Sequence, residues 1–444
     1  MPEVQLSALP YLPSSLPFFS ELADERVPVW LDSGKPLSDY GRYDIISANP
    51  VTILSATHSS PSAQFLKEVE ESLAHHFTTV SAPPGLDIPF IGGAIGYLNY
   101  EFQHDQYKLP CTHNNPVAEV GIYDWAIVQD HHLKQCYLIT HPNWPQQKVQ
   151  HLHARLSASA QIEQAKQRPP FVIDKWNATT KAQDYLTAIA TIQDYISAGD
   201  AYQVNYSQQF SANYTGHPLN AYIKMRQAVP SPYSACLMFP TVNILSVSPE
   251  KFVSVKNNAA ITQPIKGTAA RGDTPQADEQ LANELLLSEK NRAENLMIVD
   301  LLRNDFSKNC EPHSVKTTKL FDLESYANVH HLVSTVTGKV KTGVSALNFL
   351  SDCFPGGSIT GAPKKRSMEI INQLEPHARH IYCGSIFYLS AHGDLDSNIA
   401  IRTALLDNNT IYCCGGGGIV ADSDASAEFD ESIQKIDKFL AILK

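Results

Sequence analysis

Apolar positions recur along this chain with two different spacings, and the punctuation between them divides it into three stretches. From Met1 to about Leu156, short alternations of apolar and polar residues are broken by proline and glycine, the pattern of a strand-rich lobe spanning residues 1–156. Val27 to Asp32 forms a strand candidate ending at Ser33-Gly34-Lys35-Pro36, and a second apolar run follows Gly41-Arg42-Tyr43-Asp44. Phe90 to Tyr97 is rich in glycine but does not fit G-x-G-x-x-G, so it reads as close backbone packing rather than a nucleotide site. Residues 157–177 are polar, contain Pro169-Pro170 and read as a linker. From residue 178 to 444 helical spacing enters: Tyr185, Ile189, Ile192 and Ile196 share one helix face, and Gly199 is placed to end it. Tyr202-Gln203-Val204-Asn205 then opens a strand.

Several polar residues in this third stretch interrupt apolar patterns. The run Val242 to Val247 predicts a buried strand, and Ser248-Pro249-Glu250 closes it, leaving a carboxylate where burial raises a pKa and suits proton transfer. Ala259 to Gln263 predicts another strand. Pro264 ends its donation to the ladder and Gly267 allows a turn, which places Lys266 at a defined corner. A desolvated lysine there is a competent nucleophile or base, whereas a solvated one is ordinary turn chemistry. Thr274-Pro275 caps a helix predicted to run to about Asn304, in which Glu294 shares a face with Met297, Ile298 and Leu301. Such a carboxylate needs a cation, supplied by a basic side chain or by a metal.

Asn398 to Leu405 alternates in the manner of a strand, with Arg402 rising from Ala400 and Ala404. A guanidinium in that setting wants a planar anion, a structural carboxylate or a bound one. His331 lies on the strand face of Val333 and Thr335, where a satisfied core histidine is the usual explanation. Phe354 to Pro363 is a glycine loop leading into a helix from Pro363 to about Leu374, whose free amides favour negative charge; it lacks the Lys-Ser or Lys-Thr of a Walker loop. Gly415 to Gly418 can bring backbone N–H groups close to a carboxylate. The last helix is predicted to bury Phe429, Ile433, Ile436, Leu440 and Leu443, with Glu428, Glu431 and Lys435 on the adjoining face.

Composition narrows the classes. The chain has 444 residues, 43% hydrophobic and 18% charged, enough for a large core. A formal charge of −11 argues against nucleic acid or an anionic membrane as the main partner. No basic segment followed by an apolar run opens the sequence, and no stretch of 18 apolar residues occurs. The eight cysteines are scattered without a C-x-x-C pair, which predicts reduced thiols and a cytoplasmic setting.

The segment Pro264-Ile265-Lys266-Gly267-Thr268 resembles the signature of the chorismate-utilising enzymes, and within them the aminodeoxychorismate synthase component I family of para-aminobenzoate and folate biosynthesis. The similar anthranilate synthase large subunit carries alanine where this chain has Lys266. The resemblance is dense over the C-terminal three-fifths and sparse before it. It implies an α+β anthranilate synthase component I-like fold, with large β-sheets packed as a sandwich flanked by helices, and a chorismate-binding catalytic domain over residues 178–444. It also implies that Lys266 is the nucleophile and Glu250 the general acid/base. In Asn291-Arg292-Ala293-Glu294-Asn295-Leu296-Met297 it assigns Glu294 to magnesium, with Glu431 as second ligand. His331, Ser358, Tyr382, Arg402, Gly418 and Lys435 are implied to line the substrate site, Arg402 at the enolpyruvyl carboxylate and Lys435 at the ring carboxylate. A tryptophan pocket is implied at Ser33, Tyr40, Gly41, Arg42, Tyr43, Pro232, Tyr233 and Ser234.

The reaction that follows from the resemblance converts chorismate and ammonia to 4-amino-4-deoxychorismate. The chain has no G-x-C-x-G segment of the glutamine amidotransferase kind, so a separate glutaminase subunit is the expected source of ammonia. Isochorismate or salicylate synthase, in which a similarly placed lysine activates water, and anthranilate synthase component I are the nearest alternatives. A pyridoxal-phosphate enzyme using Lys266, and a non-catalytic tryptophan-binding regulator, are more distant ones.

Overall fold

Alternation along the central strands assigns each residue to one of two cores. Val29, Ile45 and Ile244 join one buried cluster, while their neighbours Trp30, Ile46 and Leu245 join another on the opposite face. A one-residue slip of any of these strands would exchange the two sets, so register is strongly specified. In the computed structural model, which describes residues 3–77, 80–83, 85–111, 113, 115–161, 166–326 and 329–444, these strands belong to a 13-stranded antiparallel sheet. Residues 162–165 of the expected linker lie outside the described set.

A second antiparallel sheet has 10 strands among the described residues, and its Ile95, Val120 and Phe387 share the inner cluster with Val29 and Ile45. The outer face of the first sheet is covered by the helices Leu16–Leu22, Gln146–Ser159, Pro218–Ala228 and Asp437–Ile442. The chain is therefore an α+β sandwich flanked by helices. Both sheets mix early and late segments: Val29–Asp32 pairs with Tyr233–Met238, and Gly93–Leu98 pairs with Ser385–Ser390. The glycine-rich segment near residue 93 is a strand in which a Cβ at Gly93 or Gly96 would meet a backbone carbonyl of the neighbouring strand, which is close packing.

The site depends on where the chain changes sheet. Asn243–Ser248 belongs to the first sheet and Lys251–Lys256 to the second, so Glu250 lies in the crossing. Leu395–Asn398 belongs to the second sheet and Thr403–Asp407 to the first, so Arg402 lies in the return crossing. The alternation from Asn398 to Leu405 is thus not one strand. Ile399 and Ala400 are buried in the turn, and Arg402 adopts a left-handed φ of 51°. The two crossings are hydrogen-bonded to each other: the Ile399 N–H donates to the Glu250 carbonyl at 3.1 Å and the Val247 N–H to the Arg402 carbonyl at 3.1 Å.

Two predicted helices are each split. The helix opened by Thr274, whose hydroxyl accepts from the Ala277 N–H at 3.2 Å, stops at Leu287; a second runs Glu289–Asn309 and is capped by Ser288, which accepts from the Asn291 N–H. The last helix divides into Ala425–Gln434 and Asp437–Ile442. The break turns Glu428, Ser432 and Ile436 inward and leaves Phe429 and Ile433 half-buried, so the predicted stripe is displaced by one residue in its first half.

Candidate active site

The strand containing Lys266 does not turn away at Pro264. It resumes as Ile265–Ala270 and pairs with Val329–Lys339, with a register shift between Ile265 and Thr268. Lys266 and Gly267 occupy that bulge, and Gly267 has φ 89°. A bulge re-aims the side chain it carries. Half-buried along its length, Lys266 ends where desolvation is the largest influence on its ammonium, lowering its pKa from the usual lysine value. Glu294 opposes the shift, Lys435 reinforces it, and Glu250 and Glu431 oppose it.

Glu250 is buried, and its Oε1 accepts from the Ser358 hydroxyl at 3.0 Å. Burial pushes its carboxyl up to about 7, against the charges of Lys266 and Arg402 and hydrogen bonds from Ser358 and the Ile265 N–H. A carboxyl group that changes protonation near neutrality stands beside an amine made easier to deprotonate. That combination suits an attack by nitrogen coupled to protonation of a leaving group.

Arg402 has no ion-pair partner among the described residues. Burial works against its charge, and Glu250 is the group that favours it. A half-buried guanidinium without a carboxylate partner suits a bound anion. His331 is buried, its Nδ1 lies 2.9 Å from the Thr268 hydroxyl, and burial with the nearby Arg402 charge lowers its pKa to about 4, so it is neutral. Tyr382 packs below the Arg379 guanidinium, 5.9 Å from its ring centre. Gly418 lies opposite Asn205 in the neighbouring strand.

Three carboxylates and a lysine complete the polar wall. A Cβ at Gly417 would lie 3.1 Å from Glu428 Oε2, 3.6 Å from Lys435 Nζ and 3.9 Å from Glu431 Oε1. Burial pushes Glu431 up, but Lys435 at 2.7 Å outweighs it and holds the carboxyl below its usual value. Lys435 also donates to the Gly416 carbonyl at 2.9 Å. Glu428 accepts from Ser423 at 2.8 Å, and burial with the Glu431 charge raises its pKa. Glu294 influences the same Lys266 from the facing helix. The donor set is hard oxygen with excess negative charge and no third converging ligand among the described residues. That chemistry fits magnesium, which keeps several waters and takes one or two carboxylates.

The predicted second pocket is a separate cavity of about 230 Å³. Gly41, Arg42, Tyr43, Pro232, Tyr233 and Ser234 line it. Ser33 and Tyr40 stand beside it: the Ser33 hydroxyl donates to Asp44 at 2.6 Å, and the Tyr40 ring packs tilted against Tyr326, centres 4.1 Å apart, while its hydroxyl donates to the Ser325 carbonyl. The lining also includes an ion pair, Lys251 to Asp396 at 2.8 Å. Sequence pattern missed this pair because it joins neighbouring strands far apart in the chain. It also missed the buried Glu375 and Arg379 pair, at 2.7 Å, whose guanidinium supports the Ile359 and Asn205 carbonyls; the only signal was the i,i+4 spacing.

Residues 27–441 match the model of the chorismate binding enzyme family. The chain is 38% identical to aminodeoxychorismate synthase component 1 of Klebsiella aerogenes, over 98% of this chain and 97% of that protein. It is 39% identical to the same component of Salmonella typhimurium, over 92% and 91%. The crystal structure of anthranilate synthase component I from Streptococcus pneumoniae superposes with a TM-score of 0.77 at 30% identity, covering 91% of this chain and 92% of that one.

Proposed function

We infer the reaction from one premise: this chain belongs to the family of chorismate binding enzymes. It acts as the synthase component of aminodeoxychorismate formation, joining chorismate and ammonia into 4-amino-4-deoxychorismate. The observation that carries this choice is Lys266, half-buried on its bulge beside Glu250, whose carboxyl is pushed up to about 7. The resemblance drawn from the sequence implies alanine at that position in the anthranilate-forming family.

In the proposed mechanism the neutral Lys266 amine forms a bond to C2 of chorismate. The ring electrons shift, the C4–O bond breaks, and Glu250 gives its proton to the hydroxyl, which departs as water. Ammonia then bonds to C4, the electrons return and the C2–N bond to Lys266 breaks. The proton lost by the new amine restores Glu250, and the enolpyruvyl group is retained. Arg402 pairs with the enolpyruvyl carboxylate, with Tyr382 and His331 beside it, while Lys435 and the amides near Gly418 face the ring carboxylate. Ser358 orients the Glu250 carboxyl.

Glu294 and Glu431 would hold magnesium, which supplies positive charge to the ring carboxylate when bound. The second cavity is proposed to take tryptophan, because it offers an aromatic wall at Tyr233 and, in Lys251 and Asp396, opposite charges matching an amino acid's carboxylate and ammonium. A glutamine amidotransferase component is the proposed ammonia source. No helix among the described residues is long and apolar enough to cross a membrane, and we propose a cytoplasmic setting.

Incubating the pure chain with chorismate, magnesium and an ammonium salt, followed by chromatography and mass analysis, tests the reading. Aminodeoxychorismate is the expected product; isochorismate, salicylate or anthranilate in its place would overturn it.

A further inference from the structure

Glu101 is buried in the short turn Tyr100–Gln103 that follows the strand Gly93–Leu98. The proposed chemistry gives it no task, yet its carboxylate reaches a segment 278 positions further along the chain. Its Oε1 accepts from the Arg379 N–H at 2.8 Å and from the His380 N–H at 3.3 Å, while the Tyr100 N–H donates to the His380 carbonyl at 2.7 Å. Both backbone groups of His380 are thus held by residues 100 and 101.

The segment so held is a strained turn. His380 has φ 51° and Cys383 φ 64°, a left-handed conformation that is costly for residues bearing a Cβ. Tyr382 lies between them, on the substrate side in the mechanism above. From there the turn leads to the chemistry: the Cys383 N–H donates to the Ala400 carbonyl at 2.9 Å, and the Ile399 N–H to the Glu250 carbonyl at 3.1 Å. A continuous line of backbone contacts runs from Glu101 past Tyr382 to the crossing that carries Glu250.

The carboxylate is kept charged. Burial raises the Glu101 pKa, but His113, His380 and His104 outweigh it and hold the carboxyl at about 2. His113 is the cation, its Nε2 3.6 Å from Glu101 Oε2; burial lowers its pKa, and Cys111 with Glu101 pushes it up to about 10. Burial lowers His104, and lowers His380 to about 4, so both are neutral. Among the described residues no three such side chains are placed to hold a metal ion, and Glu101 Oε2 accepts no hydrogen bond. The hydrogen bonds of this carboxylate all go, through Oε1, to the strained turn.

We propose that Glu101 is a positioning residue for chorismate, latching the Arg379–Cys383 turn in the conformation that presents Tyr382 to the substrate. The inference rests on the chorismate site proposed above. A carboxylate suits the task because one oxygen takes two N–H donors at once while the other keeps His113 beside it. The latch makes the N-terminal lobe part of the substrate site.

The test is steady-state kinetics of the full chain as wild type, Glu101→Asp and Glu101→Gln, with chorismate and ammonium salt varied in turn, melting temperatures recorded and product identified by mass. Glu101→Asp keeps the charge for His113 and loses the reach to the two N–H groups. Its chorismate KM is expected to rise about tenfold, as for loss of a hydrogen bond to a charged group, with the ammonia KM unchanged. Glu101→Gln keeps the reach and loses the charge, and its chorismate KM should stay within about threefold of wild type. If Glu101→Asp does not fold, Glu101→Asn, as short and uncharged, carries the same expectation. A structural role alone would lower the melting temperatures and leave both KM values unchanged, which overturns the latch. A larger rise in Glu101→Gln than in Glu101→Asp also overturns it, since charge and not reach would then decide. Wild type that makes aminodeoxychorismate while the variants keep its chorismate KM refutes the latch alone. Wild type that converts chorismate to another product refutes the proposed function, while the same comparison of chorismate KM values still decides the latch.

Discussion

Glu250 stands buried beside Lys266, its Oε1 held by the Ser358 hydroxyl at 3.0 Å. The pair needs opposite states, a neutral amine and a protonated acid. Glu250 loses its proton as pH rises through about 7, and Lys266 gains the free amine as pH rises. The kcat/KM profile is therefore expected to be bell-shaped, with one of its two inflections near pH 7 and set by Glu250. In Glu250→Gln, turnover should fall by about 10²–10⁴. A pH series of initial rates checks both.

The same burial makes Glu250 a liability to folding. Its pKa is raised from an ordinary 4.5 to about 7, so between those values the folded chain binds more protons than the unfolded one and stability falls as pH rises. The contribution is fully present below pH 4.5 and lost above about 7. Glu250→Gln removes the charged form, and at alkaline pH it should unfold at higher denaturant than wild type, by roughly 3 kcal/mol. At acidic pH the difference should vanish. Urea unfolding at both extremes measures it.

Arg402 has no ion-pair partner among the described residues and sits in a strained backbone conformation, with φ 51°. Arg402→Gly relieves the backbone, and Arg402→Ala does not, so the glycine variant should be more stable by about 1 kcal/mol. Both should raise the chorismate KM about 10- to 100-fold, the loss of a charge-assisted pair. Thermal melts and substrate titrations separate the two effects.

Lys266 and Glu250 were legible because proline and glycine flank one and an apolar strand ends at the other. Those are local signals. Arg402 was singled out on an alternation that predicted one strand, and the chain instead passes between sheets there. The breaks at Ser288 and at Lys435-Ile436 were hidden because helical periodicity survives an interruption of one or two residues well enough to read as continuous. The Arg379 to Glu375 pair showed only its i,i+4 spacing, since its importance lies in which distant strand and loop face it.

Arg379 offers a check on that last kind of residue. Its side chain is 1% exposed and pairs with an equally buried Glu375. Arg379→Met leaves the carboxylate buried and the Ile359 and Asn205 carbonyls unsupported, so stability should fall by about 3–5 kcal/mol. Arg379→Met with Glu375→Leu should recover part of the loss, as a double-mutant cycle of unfolding energies would show.

Magnesium removal provides a further expectation. Chelation should abolish turnover and added magnesium restore it. Glu294→Gln and Glu431→Gln should each need about tenfold more magnesium for half-maximal rate, one lost charged ligand apiece. In Glu431→Gln, Lys435 also loses its 2.7 Å partner, which should raise the chorismate KM as well.

The covalent role of Lys266 is tested most directly by intact-protein mass spectrometry after mixing the chain with chorismate and magnesium in the absence of ammonia. A species heavier by chorismate less one water, mapped by peptide analysis to Lys266 and absent from Lys266→Ala, is the predicted result. A turnover-competent enzyme that forms no such species, or a Lys266→Ala variant that still makes aminodeoxychorismate at the wild-type rate, would contradict it.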